Sequence, residues 1–301
     1  MNTRKSFTPP SLILVCLFAL AAQAQPPACH ETVRFESRLV GRALPYNVVL
    51  PPDYHRRESG RTRYPVLYLL HGLTGHYDNW VTKTKLSDYA ARYDLIIVTP
   101  EGNNGWYTDS ATAPADRYES YVIGELIPDV ERRYRALSRR EGRAVAGLSM
   151  GGYGALKFGI KYPEMFALAA SMSGAVGAAS WRAEAELPRG LIGESIRQTF
   201  GPADGPVKAQ NDLFKLVGEM PPERVKSLPF LYLDCGTEDA LRLLPTNLAL
   251  AGLLVARKIP HEYRQLPGDH NWAYWDKQVQ EVLRLAAAKL VTPTRVASSR
   301  R

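Results

Sequence analysis

The feature that most constrains this chain is a series of short apolar runs separated by segments of helical periodicity. Residues 64–70 (YPVLYLL), 94–99 (DLIIVT), Arg143–Leu148 (RAVAGL), Leu168–Met172 (LAASM) and 230–233 are brief, largely non-alternating and bounded by Gly, Pro or Asp. Strands buried on both faces of a parallel sheet read this way. Between them Ile123, Leu126, Ile127, Val130 and Tyr134 repeat at helical spacing, as do Trp275, Val279, Val282, Ala286 and Leu290 near the end. Pro128 should kink the first of these helices or mark its first turn. The alternation over more than 200 residues predicts an α/β fold, a mostly parallel central sheet with helices on both faces. Residues 31–50 alternate instead and predict a hairpin leading into the sheet. No linker or internal repeat divides the chain, so residues 25–291 form one domain. Residues 175–228 lack clean strands and are long for a connection, which predicts a cap or lid over part of a site. The tail, residues 292–301, is expected to be disordered.

Residues 1–24 read as an export signal. Arg4 and Lys5 precede the apolar run of residues 11–21, which is too short to span a bilayer, and Ala22-Gln23-Ala24 is a small-x-small cleavage site. Cleavage after Ala24 predicts a periplasmic or extracellular protein without stable membrane insertion. It leaves Cys29 and Cys235, and two cysteines do not make a disulfide framework; no structural bridge is expected. Loss of Arg4 and Lys5 takes the net charge from +8 to +6. The arginines cluster at residues 56–63, 132–143 and 300–301, with no aromatic residues alternating among them. That pattern fits solvated loops and helix ends, and no nucleic-acid partner is expected.

Chemistry enters at Gly147-Leu148-Ser149-Met150-Gly151-Gly152, placed between the strand Arg143–Leu148 and a helical stretch. A Gly-x-Ser-x-Gly arises by chance about once in ten such chains, so the strand–turn–helix setting carries the weight. In such an elbow the serine backbone is strained, and the residues two before and two after must be small. The hydroxyl stands at a helix N-terminus, where free N–H groups favour a developing oxyanion.

A serine hydroxyl needs a base near neutral pH, and histidine has the suitable pKa. In the order Ser, acid, His that this fold uses, only His261 and His270 come late enough. His261 opens an edge strand. His270 follows Leu266-Pro267-Gly268-Asp269 in a loop at the carboxyl edge of the sheet, and is the favoured base. The acid lies in Leu233-Asp234-Cys235-Gly236-Thr237-Glu238-Asp239, with Asp239 ranked first, then Glu238, then Asp234. Asp269 adjoins the histidine too closely to reach its Nδ1. Backbone N–H groups of Met150 and Leu73 are the expected oxyanion donors, Leu73 from the loop His71-Gly72-Leu73-Thr74-Gly75. His71 is read as holding that loop rather than as a base.

Taken together these residues resemble the esterase D-type family of α/β-hydrolases, which includes S-formylglutathione hydrolases, feruloyl and acetyl esterases and secreted mycolyltransferases. The matching pieces are His71-Gly72-Leu73 with Trp80, residues 103–110 (NNGWYTDS), Glu125-Leu126-Ile127-Pro128, residues 147–154, residues 235–239 and residues 266–272. The resemblance implies a cofactor-free Ser149–Asp239–His270 mechanism, with Glu238 open because the mycolyltransferases carry glutamate near this point. It also implies that Trp106, Tyr107 and Trp272 lie near the acyl or alcohol pocket. Two features depart from the formylglutathione hydrolases: Gly75 stands where their loop carries cysteine, and an export signal is present.

The reading is an exported serine carboxylesterase acting on a small-molecule or polysaccharide-linked ester. No metal is implied, as no His/Cys/Asp cluster has ligand spacing. An acyltransferase of mycolyltransferase type or a formylglutathione hydrolase-like thioesterase would use the same triad. A non-catalytic binding module on this scaffold would usually have lost a triad member.

Overall fold

The computed structural model describes residues 30–56 and 60–295; the export segment, Cys29 and residues 296–301 lie outside them. Eight strands form one sheet: β1 (His30–Val33), β2 (Tyr46–Val49), β3 (Val66–Leu70), β4 (Ile96–Pro100), β5 (Arg143–Leu148), β6 (Leu168–Met172), β7 (Phe230–Gly236) and β8 (His261–Leu266), in the order β1-β2-β4-β3-β5-β6-β7-β8. The expected hairpin is present: β1 pairs antiparallel with β2, and β2 with β4, with a smaller hairpin of Glu36–Ser37 and Arg42–Ala43 nested in its turn. From β4 to β8 every pairing is parallel.

Strands buried on both faces explain the continuous apolar runs. In β3, Val66, Tyr68 and Leu70 enter one core and Leu67 and Leu69 the other. The first core also takes α1 (Ile127–Arg133), α2 (Met150–Lys161) and α4 (Leu244–Ala256), and the second takes α5 (Trp272–Lys289). Between α2 and α4, α3 (Leu191–Phe200) belongs to the segment 175–228, which is helical throughout its regular parts and holds no strand.

Some boundaries differ from expectation for identifiable reasons. Pro65 has no N–H, and regular pairing in β3 begins only at Val66, Tyr64 making an isolated bridge to Ala136. β7 runs on to Gly236, so Asp234 and Cys235 are part of the strand. Pro128 sits in the first turn of α1, and the five residues before that helix, Val122–Leu126, are wound as π-helix. The proline cannot donate to a carbonyl four residues back, and the wider turn precedes that missing bond. The tail is ordered at its start: Thr294–Arg295 pairs antiparallel with Thr62–Arg63, and Val291 N–H donates to Glu141 O, so disorder from residue 292 is corrected for residues 292–295.

Candidate active site

Ser149 stands between β5 and α2 with φ 52° and ψ −117°, in a region that L-residues avoid. Neighbouring backbone dictates the glycines around it. A Cβ on Gly147 would lie 2.4 Å from the carbonyl of Gly151, and one on Gly151 would lie 2.5 Å from His71 O. The strain is held by hydrogen bonds on both sides, from Ser149 N–H to Met172 O and from Ala175 N–H to Ser149 O, each 3.0 Å.

His270 Nε2 lies 3.0 Å from Ser149 Oγ, and His270 Nδ1 lies 2.8 Å from Asp239 Oδ2. Asp239 is buried, and its Oδ1 accepts the N–H groups of Leu241 (3.0 Å) and Leu243 (3.3 Å). Glu238 is exposed, and its own N–H donates to Gly268 O. Asp234 is fully buried under the strand end, where its Oδ1 accepts from Tyr274 OH at 2.8 Å; burial pushes its carboxyl up to about 7. His261 opens β8, at the opposite end of the strand from the serine, with Nδ1 2.8 Å from Ile259 O. Of the competing residues the structure brings only Asp239 and His270 to Ser149.

The loop after β3 passes directly over the elbow: a Cβ on Gly72 would lie 3.4 Å from that of Ser149. Neither Leu73 N–H nor Met150 N–H has a hydrogen-bond partner among the described residues. Buried His71 fixes this loop, its Nδ1 2.7 Å from Gly72 O and its Nε2 receiving Gly102 N–H at 2.9 Å. Asn104 Oδ1 accepts Thr74 N–H at 2.8 Å, and Trp80 Nε1 donates to Leu70 O at 3.1 Å.

Two cavities meet at Ser149 and share Leu73, Ile192 and Leu241. One, of about 440 Å³, is lined by His270, Trp272, Trp275, Asn79, Thr74 and Lys83. The other, of about 350 Å³, is lined by Trp106, Trp181, Leu187, Pro188, Ile192 and Ile196. His270 belongs to the first alone.

Trp272 and Trp106 therefore line different cavities, both of which reach Ser149. Tyr107 does not reach either cavity, and its expected place in the pocket is corrected. It is fully buried and donates its hydroxyl to His71 O at 3.1 Å, so it braces the loop from behind. Sequence reasoning missed Trp181, Leu187, Ile192 and Ile196. Their one signal was that they fall in the strandless stretch 175–228. It also missed the fully buried Lys157, which bonds Thr108 Oγ1 and Glu119 Oε2, each at 2.7 Å, and the carbonyl of Tyr107. This ties α2 to Trp106 and Tyr107, which both have positive φ.

No group of three or more His, Cys, Asp or Glu side chains suited to a metal ion occurs among the described residues, and no described helix is long and apolar enough to cross a membrane. Cys235 is buried and free.

The strand order, the elbow and the hydrogen-bonded Ser–His–Asp arrangement define an α/β-hydrolase of the serine-hydrolase class. Residues 37–285 match the model of the "Putative esterase" family. The chain is 27% identical over 256 residues to an acetyl esterase of Caldicellulosiruptor saccharolyticus, covering 82% of this chain and 94% of that protein. It is 44% identical over 146 residues to the esterase Rv1288 of Mycobacterium tuberculosis, 47% of this chain but 31% of that longer protein. Among solved structures, a fluorophosphonate-binding serine hydrolase of Staphylococcus aureus, with substrate bound, shares the fold at a TM-score of 0.77 and 24% identity, over 87% of this chain and 99% of its own. The chain belongs to this esterase family and is a carboxylic ester hydrolase.

Proposed function

We propose that the protein is an exported serine carboxylesterase that works through an acyl-enzyme on Ser149. The observation that carries this reading is the chain Ser149 Oγ–His270 Nε2 (3.0 Å) and His270 Nδ1–Asp239 Oδ2 (2.8 Å) beside the Leu73 and Met150 N–H groups, which have no partner among the described residues. Ser149 Oγ attacks the ester carbonyl carbon as His270 Nε2 takes its proton, and Asp239 stabilises the resulting imidazolium. The carbonyl oxygen, now negative, accepts from Leu73 and Met150 N–H. The C–O bond to the alcohol breaks and the alcohol leaves with the proton from Nε2. Water then repeats the attack, its proton going to His270, and the acid is released from Ser149.

The same proton transfer assigns the two cavities. The leaving alcohol must face His270, so it occupies the side lined by Trp272, Thr74, Asn79 and Lys83. The acyl group takes the apolar side between Trp106 and Trp181, under Ile192 and Ile196 of segment 175–228, which acts as the lid. The acyl side has the more apolar lining, and on the alcohol side Thr74, Asn79 and Lys83 offer polar contacts among apolar residues, which favours small-molecule or polysaccharide-linked esters as substrates. Location outside the cytoplasm rests on the basic–apolar–AQA pattern of residues 4–24.

Hydrolysis of p-nitrophenyl esters across acyl lengths, wild type beside Ser149→Ala, tests the chemistry. Loss of the nucleophile should lower kcat by roughly 10⁴–10⁶-fold; a variant that keeps its activity overturns the reading. For export, a mature N-terminus at Gln25 in the periplasm or medium is expected, and an uncleaved cytoplasmic chain contradicts it.

A further inference from the structure

The base and the acid come from two separate loops, residues 237–243 after β7 and residues 267–271 after β8. Near the sheet the first loop is held by two backbone bonds, Thr237 N–H donating to Leu266 O at the end of β8 (2.8 Å) and Glu238 N–H to Gly268 O in the second loop (2.9 Å). Farther out, at the level of the triad, backbone pairing stops and side chains take over. Asp269 Oδ1 accepts both Ala240 N–H, at 2.8 Å, and His270 N–H, at 2.6 Å. Ala240 directly follows Asp239, so one oxygen holds the residue beside the acid and the backbone of the base. Among the described residues, the only hydrogen bonds with a side-chain atom that link the two loops are this one and the Asp239–His270 bond itself.

We infer that Asp269 is a positioning residue that sets the distance between His270 and Asp239. The inference rests on the triad reading above. An enzyme whose imidazole is out of register still binds substrate normally but transfers protons poorly, because misplacement acts on the transition state. The two N–H donors also keep the Asp269 carboxyl below its ordinary range, so it accepts as a carboxylate throughout the working pH of an esterase. What the site needs from it is an acceptor at that point, and asparagine carries one in the same place.

The test compares Asp269→Ala with Asp269→Asn, measuring kcat and KM on p-nitrophenyl acetate, the rate of inactivation by a fluorophosphonate, and Tm. Asp269→Ala should lower kcat and the inactivation rate on the order of 10- to 100-fold with KM and Tm nearly unchanged. Asp269→Asn should restore most of the loss. Should the alanine variant fail to fold, Asp269→Glu, which displaces the acceptor by one methylene, carries the same expectation as alanine. A kcat within twofold of wild type for the alanine or glutamate variant overturns the inference. So does a loss that asparagine does not restore, or one in which KM and Tm move together with kcat. If His270→Ala abolishes activity while Asp269→Ala does not, only this inference fails; if His270→Ala retains full activity, the triad reading fails with it.

Discussion

Asp239 Oδ2 lies 2.8 Å from His270 Nδ1, while the adjacent Glu238 faces solvent. One residue of loop separates an acid that orients the base from one that does not touch it. Asp239→Asn should therefore lower kcat by about 10³–10⁴-fold with little change in KM, because the amide favours the wrong imidazole tautomer. Glu238→Gln should remain within about twofold of wild type. Steady-state kinetics on one activated ester decides between them, and the reverse pattern would assign the acid to Glu238.

Features that follow from local chemistry were legible in the sequence. The apolar runs and the elbow glycines express constraints acting within a few residues, and the chain order serine, acid, histidine follows from the strand order of the fold. What was not legible depends on packing between distant segments. Tyr107 read as a pocket aromatic, but two consecutive left-handed residues turn its ring inward against His71, and nothing local announces that turn. Trp181 and Ile196 line the cavity beside Ser149 only because segment 175–228 packs against residues distant in sequence, Leu73 and Trp106 among them. Nothing in the sequence around Lys157 marks it as buried. Its burial depends on Glu119, 38 positions earlier.

The acyl side should be tunable separately from the alcohol side. Trp181→Ala opens the apolar cavity without touching His270. The ratio of kcat/KM for p-nitrophenyl octanoate over acetate should rise about tenfold, the scale of a few methylenes newly accommodated. Trp272→Ala should leave that ratio unchanged and alter kcat/KM when the alcohol is varied. An acyl-length shift from Trp272→Ala alone would exchange the two assignments.

Asp234 makes stability depend on pH in a stated direction. Its folded-state value, raised to about 7 by burial, exceeds the ordinary 3.8, so the folded protein holds a proton that the unfolded chain has released. Stability should fall as pH rises from about 4 to about 7, by at most about 1.4 kcal/mol per unit from this group, and level off above. Asp234→Asn removes the titration, so its Tm relative to wild type should climb between pH 5 and pH 8. A difference that stays flat over that range contradicts the assignment.

The buried Lys157–Glu119 pair should be indispensable to stability from one side only. Burial works against the Glu119 charge, but Lys157 and Lys161 outweigh it and hold the carboxyl at about 2. Its contribution is present above the ordinary value of 4.5 and is lost as pH falls towards 2. Glu119→Gln leaves the Lys157 ammonium buried without a countercharge, which should cost about 3–5 kcal/mol in urea unfolding. Glu119→Gln with Lys157→Met should recover much of that loss, and a double variant no better than the single would contradict a charge-based cause.

The central claim is that Ser149 becomes acylated. A fluorophosphonate phosphonylates the same nucleophilic oxygen with loss of fluoride, so digestion with trypsin after brief exposure to it, followed by mass spectrometry, tests which residue is the nucleophile. Cleavage after Arg143 and Lys157 releases residues 144–157, in which Ser149 is the only serine. One adduct per chain on that peptide, absent from Ser149→Ala and strongly slowed in His270→Ala, is the predicted result. An active enzyme whose adduct lies on another peptide, or that labels equally well in Ser149→Ala, would contradict the account.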